Sequence, residues 1–351
     1  DHTWRWCTEK EKENGLPLKS QVVRVDGEPT EEEISEWSLL GMLPPGQGGR
    51  CQTKRNPTQW SVHNVGHEAT DVERKLLDRV QKWSPDPDWI PRGPAEGRRF
   101  FLIFFSGHRR FKDLATYIWW KSDLIPICLD VAIDAEVGNI LQDSLWRSLI
   151  HARRVAGGHA GPPCETYSLA RWLENENQLY PRPLRSCEQP WGLDGRTLRE
   201  TRQWLMGNIL MWRALSLLLL IYAYGGSFTL EHPKGCGGVN NKWTIWDSAF
   251  VKQLMLAGDI RLWTILQGPL GRPFAKPTNL LAARLEGLGE AIYKGYDKSW
   301  RPSMILGGKD GHHWRTAQAK AYPPELCRIL AEQHSSFAAC QQAEGVTIEP
   351  E

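Results

Sequence analysis

A cysteine stands directly behind two prolines in Gly161-Pro162-Pro163-Cys164-Glu165-Thr166-Tyr167-Ser168. A thiolate held at a strand end can attack an electron-poor carbon and form a covalent intermediate. Proline locks φ and restricts the residue before it, so the loop is stiff and its thiol well placed. Taken alone, the same loop is also a rigid turn with a half-buried structural cysteine, because a thiol packs as a small hydrophobe. Two carboxyls add to the picture. Asp130 ends the apolar run that starts at Leu124, and Glu231 follows Phe228-Thr229-Leu230. The first suits the hydroxyls of a ribose and the second suits general acid work. Each has an ordinary alternative, since Asp favours turns and caps and Glu231 ahead of His232-Pro233 can simply close a strand.

Elements of α/β type must position these groups. The run Phe100 to Phe105 is continuous and aromatic, as expected of a central strand covered on both faces, and Ser106-Gly107 ends it. A helix is expected from Lys112 to Lys121, a second strand from Leu124 to Val131, and a helix through Leu141, Leu145 and Leu149. A further strand, Val155 to Ala160, runs into the Pro-Pro-Cys loop. Thr197-Leu198-Arg199-Glu200 is a capping box that starts a long helix, stopped by Gly225-Gly226. Short strands follow at Phe228 to Leu230 and Arg261 to Leu266, with helical spacing between them from Ile245 to Leu256 and a last helix from Pro323 to Gln333. The alternation predicts an open, doubly wound, mostly parallel sheet. In such sheets ligands bind beyond the carboxyl ends of the strands, where Gly107, Asp130, Cys164 and Glu231 occur in order.

Residues 1–97 have another texture: charged, rich in Gly, Pro and Trp, with an acidic patch from Glu28 to Glu33 and one capped helix starting at Thr70. They read as an irregular extension before an α/β domain at 98–335 and a tail at 336–351. The 43 basic and 41 acidic residues leave a formal charge of +2, so no global field marks a nucleic-acid or membrane partner. The eight cysteines form no C-x-x-C pair, and His312-His313 lacks further ligands at useful spacing, so no metal site is expected. The longest apolar run, Leu215 to Ile221, is too short to span a bilayer. Reduced thiols and an intracellular compartment are expected, nuclear for an active enzyme and organellar if a targeting segment has been removed ahead of Asp1.

From Phe101 to Leu330 the chain resembles the catalytic domain of the cytosine-C5 DNA methyltransferases, and more narrowly a divergent protist branch of methyltransferase-like proteins. Phe105-Ser106-Gly107 stands at the first cofactor loop, Gly138-Asn139-Ile140 at the adenine-reading element, and Gly161 to Ser168 at the nucleophile loop. Glu231-His232-Pro233 stands for Glu-Asn-Val, Gly271 to Lys276 for the supporting Gly-x-Pro-Gln-x-Arg element, and Ala321-Tyr322-Pro323-Pro324 for the last motif. The resemblance implies a sheet of the S-adenosylmethionine-dependent methyltransferase type, with Phe105, Gly107, Asp130, Asn139 and Pro163 binding that cofactor. It implies Cys164 as the nucleophile toward cytosine C6, Glu231 as the protonated partner at N3, and Arg272 and Lys276 supporting the substrate, DNA more than RNA. The pattern also departs from the family. His108-Arg109-Arg110 replaces a glycine-rich turn, His232 an asparagine and Lys276 an arginine, and the stretch from Leu281 to Ala321 is short for a DNA-reading region. Those departures imply an alternative, a catalytically inactive scaffold or binding subunit with protein partners on its Trp-rich extension.

Overall fold

A computed structural model describes residues 98–134, 138–172, 181–305, 309–310, 313–314 and 319–344. The extension at 1–97, with its expected capped helix, lies outside them. The single domain expected over 98–335 divides instead into two compact units, cut at Pro162/Pro163, Trp212/Arg213, Lys234/Gly235 and Gly258/Asp259.

The larger unit is built on six strands: β1 (Phe100–Phe104), β2 (Ile125–Leu129), β3 (Val155–Ala160), β4 (Ser227–Pro233), β5 (Ile260–Leu266) and β6 (Pro277–Ala283), in the order β2-β1-β3-β4-β6-β5. Pairs β1/β2, β1/β3 and β3/β4 are parallel, while β6 runs antiparallel to both β4 and β5. Five strands thus point one way and one is reversed. This is the doubly wound, mostly parallel α/β sheet expected above, with its switch point between β1 and β3. The reversed strand was not read from the sequence. Pro277-Thr278-Asn279 looks like a loop, yet proline is tolerated as the first residue of a strand, and the rest of β6 is buried.

Burial explains the continuous apolar runs. Every residue of β1 and β2 is buried, because α1 (Leu114–Lys121), α2 (Ser144–His151) and other helices flank the sheet. Helix α1 starts at Asp113, whose carboxylate accepts from the Thr116 amide. The long helix α3 (Leu198–Ala223) is the one helix among the described residues long and apolar enough to cross a membrane, and 61% of its apolar window is buried inside the protein, as in a core helix. Beyond α4 (Ala249–Leu254) and α5 (Leu288–Lys294), the last helix α6 spans Pro324–Glu344. It overruns the expected stop at Gln333 and enters the stretch read as a tail from 336, because Ala338 is still buried and Gln341 still bonds to Arg99 and the Gly225 carbonyl.

The smaller unit (163–172, 181–212 and 235–258 among the described residues) has an aromatic core of its own. Trp191 packs on Trp212 and Trp243, and Trp212 on Phe250. The Arg185 guanidinium is 3.9 Å over the Tyr167 ring. These rings give several of the tryptophans their place, as packing residues.

Candidate active site

The larger unit gathers one carboxyl and three donors. Glu231, on β4, is 6% exposed. Its Oε1 accepts from Gln267 Nε2 at 3.2 Å and pairs with Lys276 Nζ at 3.3 Å. Its Oε2 accepts from the Tyr322 hydroxyl at 3.2 Å. Strand pairing makes this possible: Glu231 faces Leu280 across the antiparallel β4/β6 ladder, and the turn after β5 brings Gln267 and Lys276 to the same end. Gly161 completes the fit, because a Cβ there would stand 2.1 Å from the Tyr322 hydroxyl.

Arg272 and Lys276, expected as substrate supports, both hold the segment that carries Tyr322. Arg272 donates to the carbonyls of Ala321 and Tyr322 at 2.7 and 2.8 Å. Lys276 donates to the Ala319 carbonyl at 2.8 Å. Lys276 also has φ +34, a left-handed backbone that costs energy in a residue other than glycine and clusters at functional sites. Gln267 and Tyr322 were given no role from the sequence. Tyr322 lay inside the quoted Ala-Tyr-Pro-Pro element, so a signal existed; Gln267 had none, since only the β5–β6 pairing brings it to Glu231.

The ends of β1 and β2 form a second arrangement in the same unit. Asp130 Oδ2 accepts from the Gly107 amide at 2.9 Å, and Oδ1 from the Ala132 amide at 2.8 Å. Phe105 is left-handed (φ +59) and donates its amide to the Leu129 carbonyl at 2.8 Å. Gly107 is also left-handed (φ +66), and nothing lies within 4 Å of where its Cβ would be. Arg109 of His108-Arg109-Arg110 turns away along the helix. Arg109 pairs with Asp113 at 2.7 Å and reaches Thr116 at 3.4 Å. Burial alone would raise the Asp113 carboxyl, but the charge and hydrogen bond of Arg109 and the amides of Arg110 and Thr116 outweigh it and hold it below the usual range. Asn139, 3% exposed, spends its side-chain oxygen on the Leu141 amide.

Pro163 and Cys164 belong to the smaller unit. Cys164 is half-buried, and its carbonyl accepts from the amides of Tyr167 and Ser168 at 3.0 and 2.9 Å, closing a turn. The next residues anchor that turn: Arg185 donates to the Thr166 hydroxyl at 3.1 Å, and Tyr167 donates to Asn208 on α3 at 2.9 Å. Pro163 lines a small cavity with Thr166, Met206 and Leu210. The stiffness inferred from two prolines is thus reinforced by side-chain bonds that the motif does not reveal.

No family model and no curated protein matches the chain. Among solved structures it is similar to a triple mutant of DNMT2 from Spodoptera frugiperda, at 14% identity and a TM-score of 0.27, over 53% of this chain and 50% of that one. It is also similar to the methyltransferase EhMeth of Entamoeba histolytica, at 10% identity and a TM-score of 0.31, over 70% of this chain and 97% of that one. The chain therefore spans half the length of the DNMT2 structure, and likenesses this distant carry no functional argument.

Proposed function

We propose that the chain is an S-adenosylmethionine-dependent methyltransferase that transfers a methyl group to cytosine C5 in DNA through a cysteine adduct. The observation that carries the reading is Glu231, a buried carboxyl at a strand end on which the side chains of Gln267, Lys276 and Tyr322 converge. A carboxyl that must meet a heterocycle in one orientation needs such restraint from its supporting side chains. Two further features support it: the Pro-Pro-Cys turn after β3, and the Gly107–Asp130 link at the ends of β1 and β2.

The turn at β1 fits the cofactor. Gly107 leaves open space beside the Asp130 carboxylate, Arg109 is committed to Asp113, and each Asp130 oxygen keeps a lone pair for a ribose hydroxyl. Asp130, Gly107 and Asn139 would hold S-adenosylmethionine, with Phe105 as a further contact, and the bound cofactor would supply an electrophilic methyl on its sulfonium. The Cys164 sulfur forms a bond to C6, which makes C5 nucleophilic. Methyl transfer would break the sulfonium carbon–sulfur bond and leave a neutral thioether; water then takes the C5 proton, the C5–C6 double bond re-forms, and the sulfur–C6 bond breaks to return the thiolate. Glu231 gives a hydrogen bond to N3 during the addition, which requires the proton on one oxygen and the surrender of one of its present donors. The target base leaves the duplex for this chemistry, at a cost of a few kcal/mol.

The test is transfer of labelled methyl from S-adenosylmethionine to cytosine-containing DNA, with trapping on a 5-fluorocytosine oligonucleotide. An adduct that maps to Cys164 and vanishes in Cys164→Ser is the expected result. The absence of both cofactor binding by calorimetry and methyl incorporation into any nucleic acid would overturn it. A second reading, a catalytically inactive scaffold or binding subunit, draws on Asp130 and Arg109, whose polar groups already serve the protein's own backbone and helix cap. A Cys164 adduct would end that reading.

A further inference from the structure

Behind Glu231 lies a line of buried polar side chains that the proposed chemistry does not use. Ser227, Thr229 and Glu231 alternate along β4 and so share one face. Opposite them are His159 on β3 and His334 on α6. Ser227 and Thr229 are fully buried, and both histidines are 1% exposed. Ser227 Oγ lies 2.8 Å from His334 Nδ1, and His334 Nε2 lies 3.2 Å from Thr229 Oγ1. Thr229 Oγ1 is also 2.8 Å from His159 Nδ1. His159 Nε2 is buried and has no hydrogen-bonding atom within reach. Its ring stands nearly perpendicular to that of Tyr322, at 81° with centroids 5.2 Å apart. The Tyr322 hydroxyl then donates to Glu231.

Proton counting leaves two arrangements. A threonine hydroxyl has one proton, so between two imidazole nitrogens it donates to one and accepts from the other. If His159 gives its Nδ1 proton to Thr229, then Thr229 donates to His334 and His334 to Ser227. That direction leaves a bare nitrogen lone pair at His159 Nε2, buried beside the electron-rich face of a tyrosine. In the opposite direction Ser227 donates to His334, His334 to Thr229 and Thr229 to His159. His159 then carries its proton on Nε2, and an N–H tolerates contact with an aromatic ring better than a lone pair does. The second direction is the better satisfied, because its unpartnered group is an N–H in contact with an aromatic ring rather than a bare nitrogen lone pair.

We propose that Ser227, His334, Thr229 and His159 form one directed hydrogen-bond chain in which each member donates to the next, ending at the ring contact between His159 and Tyr322, whose hydroxyl donates to the Glu231 carboxyl. His159 and His334 are positioning residues, both neutral and both protonated at Nε2. Burial supports the neutral form, holding both imidazoles down at about 3. The chain of bonds does not depend on methyl transfer. Only its use, holding Glu231 for a base, rests on the function proposed above.

Nitrogen-15 NMR of the histidine-labelled full chain tests this, because directly and remotely bonded ring nitrogens distinguish the two neutral tautomers. The expected result is the Nε2–H form at both His159 and His334, with peaks assigned from single His→Gln variants. Thr229→Val, close in shape, should shift the Nδ1 signal of His159 and the Nε2 signal of His334 together. Ser227→Ala, at the far end, should shift His334 more than His159. An Nδ1–H form at either histidine, or Thr229→Val leaving both spectra unchanged, overturns the proposal. If wild-type protein shows the tautomers but no methyl transfer, the function fails and the chain stands. If it transfers methyl with the opposite tautomers, the reverse holds.

Discussion

Two acids end neighbouring regions of one sheet, and they are used differently. Asp130 is gripped by backbone amides, from Gly107 on the adjacent loop and Ala132 just beyond it. Glu231 is gripped by side chains alone, from Gln267, Lys276 and Tyr322. Amide contacts stiffen a turn and survive most substitutions nearby. A carboxyl held by side chains depends on the identity of each one, and on the whole sheet closing correctly. The difference separates an acid fixed by its local backbone from an acid whose placement depends on distant side chains.

The comparison breaks most directly at Glu231. Glu231→Gln keeps the shape and one acceptor oxygen, and should lower methyl transfer roughly 10²-fold or more, as loss of an acid–base group does; because it also leaves Lys276 without its charge partner, the thermal midpoint should fall as well. Equal activity in variant and wild type would return Glu231 to the structural class.

Acid should attack the same side next. His159 and His334 are neutral in the fold, with values near 3, whereas in the unfolded chain they take up protons near 6.5. The unfolded state therefore binds more protons between those values. Stability should be greatest above about pH 6.5 and fall as pH drops toward 3, by up to about 1.4 kcal/mol per pH unit for each histidine. Urea unfolding across that range measures it, and replacing both residues with Gln should flatten the slope.

The Asp130 side has its own support in the Arg109–Asp113 pair, whose side chains are 5% and 11% exposed. Asp113→Ala removes a helix cap and strands a buried guanidinium, so a loss of about 3 kcal/mol is expected in urea unfolding. Asp130→Ala should cost only about 1–2 kcal/mol, the worth of its amide contacts, while weakening S-adenosylmethionine binding by calorimetry. If Asp130→Ala costs more stability than Asp113→Ala, the turn depends on the acid rather than on the helix cap.

How much of this could be read from the chain follows from the range of each interaction. Gly107 lies in one strand–turn–helix stretch and Asp130 at the end of the next strand, where apolar runs and turn residues report local geometry; the Asp113 cap lies in the first stretch but was not read from the sequence. The Pro-Pro-Cys turn was readable for the same reason, although its anchors at Arg185 and Asn208 were not. The reversed strand β6 was missed because Pro277-Thr278-Asn279 carries the texture of a loop, and its strand identity comes from pairing with β4 and β5 on either side. Missing β6 meant missing Gln267.

The order of motifs, the apolar strands and the helix caps are local properties, set by residue type and spacing, and the amino-acid sequence was enough for them. Which side chains surround Glu231, which way Arg109 turns, and the buried line from Ser227 to Tyr322 were decided only by the fold. The surroundings of Glu231 and the buried line join segments far apart in the chain, and no period or spacing encodes a contact that exists only once the sheet has closed; Arg109 meets Asp113 four residues on, a pair that helical spacing allows without dictating.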